Sequence, residues 1–182
     1  IVDELSSEQV VDVLRELDSD EADEILQTMP SESAEVARTS LSYPKDTSGH
    51  LMIQEFLSYQ EGASIADVNR DLQEKQETFR TYNIQYIYVV DTDNHLVGVM
   101  RIHDLLFSSG PSLLGEVMIK QPYRVGDGAV LDDISEAFNQ HNLLALPVVD
   151  SDDVLLGIVL PLAVEEAKRK RTVKHFLWLS GI

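Results

Sequence analysis

The sequence contains no cysteine, few basic residues and no long apolar run. Without cysteine the chain has no disulfide, no thiol nucleophile and no cysteine-ligated zinc. Its 182 residues include 32 acidic and 14 basic side chains, a formal net charge of −18, which would repel nucleic acid phosphates. No apolar run reaches the roughly 18 residues that a membrane span requires. We therefore expect a soluble acidic protein that does not bind nucleic acid.

The sequence also lacks the motifs of common catalytic sites. It has no P-loop, no dinucleotide-binding glycine pattern and no nucleophile motif. None of its five histidines is paired at metal-ligand spacing. We therefore predict that the chain is not an enzyme.

Two segments of the chain are near-copies of each other. Residues 87–100 read IYVVDTDNHLVGVM and residues 146–159 read LPVVDSDDVLLGIV, with Val, Asp and Gly at equivalent places. An apolar run, a polar turn and a second apolar run indicate two antiparallel strands. A repeated supersecondary unit usually buries its apolar face against its copy. We therefore expect two similar units that stack on each other.

Each predicted strand pair lies within a longer repeat. Residues 51–59 are predicted to be extended and are followed by an amphipathic helix from Ser64, and residues 113–142 repeat this order. The first copy has seven additional residues, QETFRTY, between its helix and its strand. A short helix follows each strand pair. The predicted fold is therefore a mixed α/β (α+β) fold, β-α-β-β-α twice.

Residues 1–41 contain a separate repeat of 12 residues with helical spacing of apolar positions. Asp18 and Glu21 match a helix capping box. This pattern predicts an all-α lobe of short helices, each of about two turns, in front of the α/β units.

Charge is distributed unevenly along the chain. Residues 1–50 hold 13 acidic and 3 basic residues, whereas the run KRKRTVK at 168–174 holds five basic residues and no acidic one. A basic run next to Phe176 and Trp178 is typical of a cytoplasmic juxtamembrane segment. The alternative is an ordinary amphipathic helix with basic residues near its end.

The tandem units and their flanking segments resemble a known family. Two β-α-β-β-α units with the VVD-turn-Gly signature resemble a pair of CBS motifs, the Bateman module. The segment LSYPKDTSGHLM at 41–52, the acidic helical repeat and the terminal FLWLSGI together resemble the cytosolic region of MgtE-type magnesium transporters. The resemblance implies four parts: 1–50, the end of a helical N domain and a linker; 51–110, CBS motif 1; 111–163, CBS motif 2; 164–182, a connecting helix.

The same resemblance implies partners and a location. The CBS motifs would form a homodimer, and a transmembrane pore domain of the same full-length chain would follow. The chain would then lie on the cytoplasmic side of the cell membrane and would sense intracellular Mg²⁺.

The resemblance also implies Mg²⁺ ligands, because family members bind Mg²⁺ between acidic faces of these domains. The candidate metal residues are Asp132, Glu166, Asp18, Asp20, Glu21, Asp23 and Glu24. Other positions where the family carries acidic residues hold Ala163, Arg171, Lys174 and His175. We therefore expect weakened Mg²⁺ sites, with basic side chains of the terminal helix pairing with acidic residues instead.

A second implied ligand is an adenine nucleotide, ATP or AMP, in the cleft between the motifs. Tyr86 and Asp104 match family positions, His103 stands where the family has arginine, and Asn142 stands where it has an acid. Histidine is a shorter and only partly charged partner for phosphate. We therefore expect weak nucleotide binding at these four residues.

Three functions remain open at this point. The first is the cytosolic regulatory region of a magnesium transporter. The second is a stand-alone CBS sensor of adenine nucleotides, and the third is a CBS dimerisation module that binds no ligand.

Overall fold

The N-terminal part of the computed structural model, which describes residues 7–179, is a lobe of three helices. These helices are α1 (Ser7–Glu16), α2 (Ser19–Thr28) and α3 (Ser31–Ser42). They contain 10, 10 and 12 residues and are therefore longer than the two turns predicted. The Asp18 carboxylate accepts a hydrogen bond from the Glu21 amide and so caps α2. The terminal residues 1–6 and 180–182, with the end of FLWLSGI, lie outside the described residues.

The lobe has an apolar core of its own, to which α1, α2 and α3 all contribute. Its buried members are Val10, Leu14, Leu26, Ala34 and Ala37. Helices this short are unstable alone, so this shared core stabilises all three.

The first α/β unit follows the predicted order with one difference. Its elements are α4 (Ser48–Leu51), β1 (Leu57–Gln60), α5 (Ile65–Glu74), α6 (Gln76–Phe79), β2 (Tyr86–Val90), β3 (Leu96–Arg101) and a 3₁₀ helix (Ile102–Phe107). The predicted extended segment 51–59 is only partly a strand, because Leu51 ends a helical turn. The additional QETFRTY residues form α6 and the turn that follows it.

The second unit repeats this order and ends in a long helix. Its elements are α7 (Leu114–Val117), β4 (Ile119–Lys120), β5 (Val125–Gly126), α8 (Leu131–His141), β6 (Leu146–Val149), β7 (Leu155–Val159) and α9 (Pro161–Leu179). The predicted α/β class and the duplicated unit are therefore confirmed.

Each unit completes its sheet with a segment that belongs to the other unit in sequence. One sheet has the order β1-β2-β3-β4, and its last strand comes from the second unit. In the other sheet, β5-β6-β7, the edge strand β7 is extended by a bridge between Ile158 and Ile53 of the first unit. A division between the units at residue 110 therefore stays a prediction, because the first segments of both units are exchanged.

The repeated aspartate closes the same turn in both hairpins. The Asp91 carboxylate accepts hydrogen bonds from the Asp93 and His95 amides, each at 2.9 Å. The Asp150 carboxylate accepts from the Asp152 and Val154 amides in the same way, at 2.8 and 3.0 Å. The two turns meet, because His95 and Val154 form an isolated β-bridge. The repeat seen in the sequence is thus a pair of aspartate-closed hairpins that face each other.

The repeated glycine gives space to the exchanged segments. A Cβ atom on Gly157 would lie 2.8 Å from the Ile53 carbonyl oxygen and 2.9 Å from the Met52 sulfur. A Cβ atom on Gly98 would likewise overlap the Met118 side chain, which belongs to the second unit. The glycine of each hairpin therefore allows the segment from the other unit to cross it closely.

We predict that Gly157→Ala lowers the free energy of unfolding by about 1–3 kcal/mol, because the new methyl group forces a backbone atom to move. Urea denaturation monitored by circular dichroism measures this change. Gly62→Ala is the matched control, since no atom lies within 4 Å of its added Cβ. Equal stability of the two variants would contradict the close crossing.

Candidate functional site: the junction of the helical lobe, the second unit and helix α9

The linker that follows the lobe is anchored to the second unit. The amides of Ser48 and Gly49 donate hydrogen bonds of 2.8 Å to the carbonyls of Ala129 and Asp127. Tyr43 packs against the core of the second unit, with Gly49 beneath its ring, and burial raises the pKa of its hydroxyl. The LSYPKDTSGHLM segment therefore acts as a structural anchor.

The same linker is also tied to the lobe. The Arg15 guanidinium on α1 donates hydrogen bonds to the backbone carbonyls of Ser40, Leu41 and Tyr43 at the end of α3. These carbonyls lie where a helix leaves its last acceptors unpaired, so a cation satisfies them. The lobe therefore reaches the second unit through Arg15 and Tyr43.

His50 lies buried at the centre of the junction, with 3% of its surface exposed. Its Nδ1 accepts a hydrogen bond from the Asp46 amide at 3.3 Å, so the proton of the neutral ring is on Nε2. That Nε2 lies 3.6 Å from a carboxylate oxygen of Asp12 on α1, longer than a hydrogen bond. Burial and the nearby Arg15 lower the pKa of His50, against the smaller opposing effect of Asp12.

Helix α9 contacts both the lobe and the second unit through basic side chains. The Lys170 ammonium pairs with the Asp12 carboxylate of α1. The Arg171 guanidinium donates two hydrogen bonds, of 3.1 and 3.4 Å, to the two carboxylate oxygens of Asp132 on α8. Lys168 donates to the Ser135 hydroxyl at 2.6 Å. A single turn of α9 thus binds two different elements.

The predicted Mg²⁺ ligands do not form one compact group. Asp132 on α8 is paired with Arg171, and Glu166 on α9 is half-buried. Asp18 caps α2, and the other acidic residues of the lobe are exposed along that helix, namely Asp20, Glu21, Asp23 and Glu24. The ligand set therefore does not fit a tight Mg²⁺ site, and the metal assignment stays a prediction.

Within residues 7–179, three ligand atoms come close enough to hold a metal at one place. Asp91, Asp93 and His95 each offer one atom, all within 4.8 Å of one another. The Asp91 carboxylate, however, already accepts a hydrogen bond from the His95 ring at 2.8 Å and closes the hairpin turn. This group is therefore explained by the turn.

Tyr86 contacts two segments that lead to other predicted nucleotide residues. The Tyr86 hydroxyl on β2 accepts a hydrogen bond of 3.3 Å from the Leu144 amide, two residues after Asn142. Tyr86 also stands opposite Arg101, two residues before His103. Tyr86 therefore lies near the chain segments that carry Asn142 and His103.

Asn142 has a clear structural role, whereas His103 and Asp104 form an exposed pair. Asn142 ends α8 in the left-handed conformation, with φ of 48°, which asparagine adopts readily. His103 Nε2 lies 2.9 Å from the Asp104 carboxylate, and both side chains are well exposed. The pair is thus accessible to a ligand.

Two aromatic residues of this region, Phe56 and Tyr88, were not among the predicted site residues. Tyr88 contacts Phe56 and Tyr86 edge-on, with ring centroids 5.9 and 6.2 Å apart. Tyr88 is 1% exposed, its hydroxyl has no hydrogen-bond partner among the described residues, and burial raises its pKa. The aromatic run in TYNIQYIYVVD was the available sequence signal for Tyr88. Tyr88 therefore belongs to the apolar core between the two units, and Phe56 and Tyr86 lie partly buried beside it.

Family models match nearly the whole chain. The model of the MgtE intracellular N domain matches residues 1–46, and the CBS-domain model matches residues 49–109 and 114–161. The two CBS matches together cover more than half of the chain. The chain belongs to the CBS-domain family. An MgtE N domain stands in front of the CBS pair, so the predicted resemblance to the cytosolic region of MgtE transporters is confirmed.

The relatives agree with this domain order. The magnesium transporter MgtE of Enterococcus faecalis is 33% identical over 129 residues, which cover 71% of this chain and 28% of that protein. The chain spans less than a third of the length of the curated relatives it matches. No helix among residues 7–179 is long and apolar enough to cross a membrane.

Two solved structures match the lobe and the CBS pair together. The soluble part of a magnesium transporter gives a TM-score of 0.84 at 28% identity, covering 92% of this chain and 64% of that one. The cytosolic domain of the Mg²⁺ channel MgtE in complex with ATP gives 0.83 at 25% identity, covering 89% and 66%.

We predict that His50 makes the CBS pair and its lobe less stable at mildly acidic pH. The pKa of His50 is lowered from 6.5, so just below pH 6.5 the unfolded chain binds a proton that the folded chain does not. The free energy of unfolding therefore falls as pH decreases from about 7.5 to 5.5. His50→Asn, which keeps an acceptor for the Asp46 amide, should reduce this slope in urea titrations.

His95→Asn is the control for this prediction. A hydrogen bond with Asp91 raises the pKa of His95, so its contribution is present at low pH and lost as pH rises through the folded-state pKa. Removing His95 should make the slope of stability with pH steeper, opposite to the His50 variant. A slope unchanged in His50→Asn would contradict the buried neutral ring.

Proposed function

We propose that this chain is the regulatory region of a magnesium transporter, on the cytoplasmic side of the membrane. The observation that carries this proposal is the position of α9, whose basic residues bind both the helical lobe and the second CBS motif. A movement of the lobe or of the CBS pair is therefore transmitted to this helix. In the full-length protein α9 would lead into a transmembrane pore domain, and its basic run agrees with the positive charge of cytoplasmic juxtamembrane segments.

A homodimer of CBS pairs would place two α9 helices in one assembly. Leu162, Val173 and Phe176 support this, because they are exposed apolar residues on α9. They fall on one stripe of the helix, since 11 and 14 residues are close to whole numbers of turns. Such a stripe is suited to pack against another apolar surface.

Mg²⁺ enters this proposal as the transported ion. The candidate ligands support only loose binding, because Asp132 is paired with Arg171 and the carboxylates of α2 are exposed. Mg²⁺ retains several of its waters, so it binds weakly to carboxylates that are scattered in this way. The proposed regulation therefore involves no Mg²⁺ coordinated at these residues.

An adenine nucleotide, ATP or AMP, is the proposed ligand of the CBS cleft. The partly buried Phe56 and Tyr86 offer aromatic surface for the base, and Asp104 offers an acceptor for ribose hydroxyls. Of the four predicted nucleotide residues, His103 is the candidate partner for phosphate. The nucleotide would bind and stabilise one arrangement of the CBS pair, with no chemical change to it.

A chimera tests the regulatory role. The 182-residue chain replaces the matching segment of the Enterococcus faecalis relative, and Mg²⁺ uptake is measured in cells that depend on it. We expect uptake that depends on the grafted chain and differs from that of a version without the segment. Identical uptake with and without the graft would contradict the proposal.

We predict that His103→Arg increases the affinity for ATP about tenfold, because a guanidinium that can form two hydrogen bonds with phosphate replaces a shorter imidazole. Isothermal titration calorimetry measures the change. His95→Arg is the control, since His95 lies in the turn at the other end of the β2–β3 hairpin. An equal effect of the two substitutions would contradict the position of the phosphate.

A further inference from the structure

Helix α9 carries a concentration of positive charge next to two negative elements. Five basic residues lie within 168–174, whereas residues 1–50 carry 13 acidic against 3 basic residues. Two more acids, Asp132 and Asp133, lie in the first turn of α8. Because the whole chain has a net charge of −18, the compact arrangement brings like charges together unless cations lie between them.

The basic residues of α9 are distributed between its two neighbours. Lys168 and Arg171 are one turn apart and contact α8, through Ser135 and Asp132. Lys170 points to α1 and contacts Asp12, which also faces the buried His50. Helix α9 therefore connects the two elements by separate side chains.

The helical lobe and the second CBS motif, which both contact α9, have separate apolar cores. Val164 and Ala167 pack in the core of the second CBS motif and fix the first turns of α9 there. The lobe has its own cluster around Leu14 and Leu26. Apolar packing thus holds α9 to the CBS pair, and the polar contacts of Lys170 and Asp12 add the connection to the lobe.

We propose that Lys170 and Arg171 form a built-in cationic clamp that docks the acidic lobe onto the CBS pair without a divalent cation. The regulatory role of the clamp rests on the proposed function, because the clamp would act by setting the position of α9. It occupies Asp132, so a divalent cation would have to displace a guanidinium that binds both oxygens of that carboxylate. The docked arrangement therefore depends on ionic strength and hardly on Mg²⁺.

The absence of cysteine makes the clamp measurable. Cysteines introduced at the exposed Glu24 of α2 and Asn139 of α8 carry spin labels, and electron double resonance gives the distance distribution between them. Labelled protein is diluted with unlabelled protein so that only distances within one chain are recorded. The full 182-residue chain is used, with EDTA or with millimolar MgCl₂.

We expect one narrow distance distribution, the same with EDTA and with MgCl₂. It should broaden to longer distances in about 1 M NaCl, where the Debye length falls to about 3 Å. Lys170→Glu should lower the ratio of docked to undocked lobe about tenfold, because repulsion from Asp12 replaces attraction.

Arg169→Glu is the matched control. It makes the same charge change on the same helix, at an exposed residue for which no ion pair is found within residues 7–179. Arg171→Glu should also undock the lobe, and Arg171→Glu combined with Asp132→Arg should restore docking by reversing the pair. A melting transition like that of the wild type shows that the variants are folded.

Two outcomes would overturn the clamp: a lobe that docks only when MgCl₂ is added, or Lys170→Glu behaving as Arg169→Glu does. The chimera distinguishes these from failure of the proposed function. If the clamp holds and uptake is independent of the graft, the regulatory role fails alone. If the graft regulates uptake and Lys170→Glu leaves the distances unchanged, the clamp fails alone.

Discussion

The exchange of first segments between the CBS motifs is the constraint on which the rest of the structure depends. Ile53 extends the sheet of the second motif, and β4 completes that of the first. Because each sheet includes residues of the other motif, backbone hydrogen bonds join the two motifs directly. The exchange also takes the linker across the second motif, which brings His50 beside Asp12 of α1, and Asp12 in turn contacts Lys170 of α9.

The contact between the lobe and the CBS pair is weaker than the packing inside the CBS pair. The cores of the motifs are apolar and tightly buried, whereas the junction contains His50, Asp12 and Lys170. Exposed ion pairs contribute only about 0–1 kcal/mol each, so this contact is much weaker than the core. Such a difference allows the lobe to move while the CBS pair stays folded, as a regulatory element requires.

The sequence predicted local and repeated features well. The two VVD-turn-Gly copies predicted both hairpins, because an aspartate that accepts two turn amides is a local requirement. It did not predict that Leu51 ends a helical turn or that Ile53 pairs with the other motif, because non-local contacts override the local pattern there. Phe56 and Tyr88 were missed for the same reason, since their role depends on how the motifs meet.

The charged residues show even more clearly that contacts between distant parts of the chain could not be predicted from the sequence. The sequence showed that Arg171 stands where an acid was expected, but only the fold shows that its partner is Asp132, itself a predicted ligand. The substitution therefore removes one ligand position and occupies another. A guanidinium binds both oxygens of a carboxylate and is never deprotonated, so it stays charged beside this acid at every physiological pH, and Mg²⁺ must compete with it. A junction neutralised in this way responds to the screening of its ion pairs, and its chemical input is ionic strength.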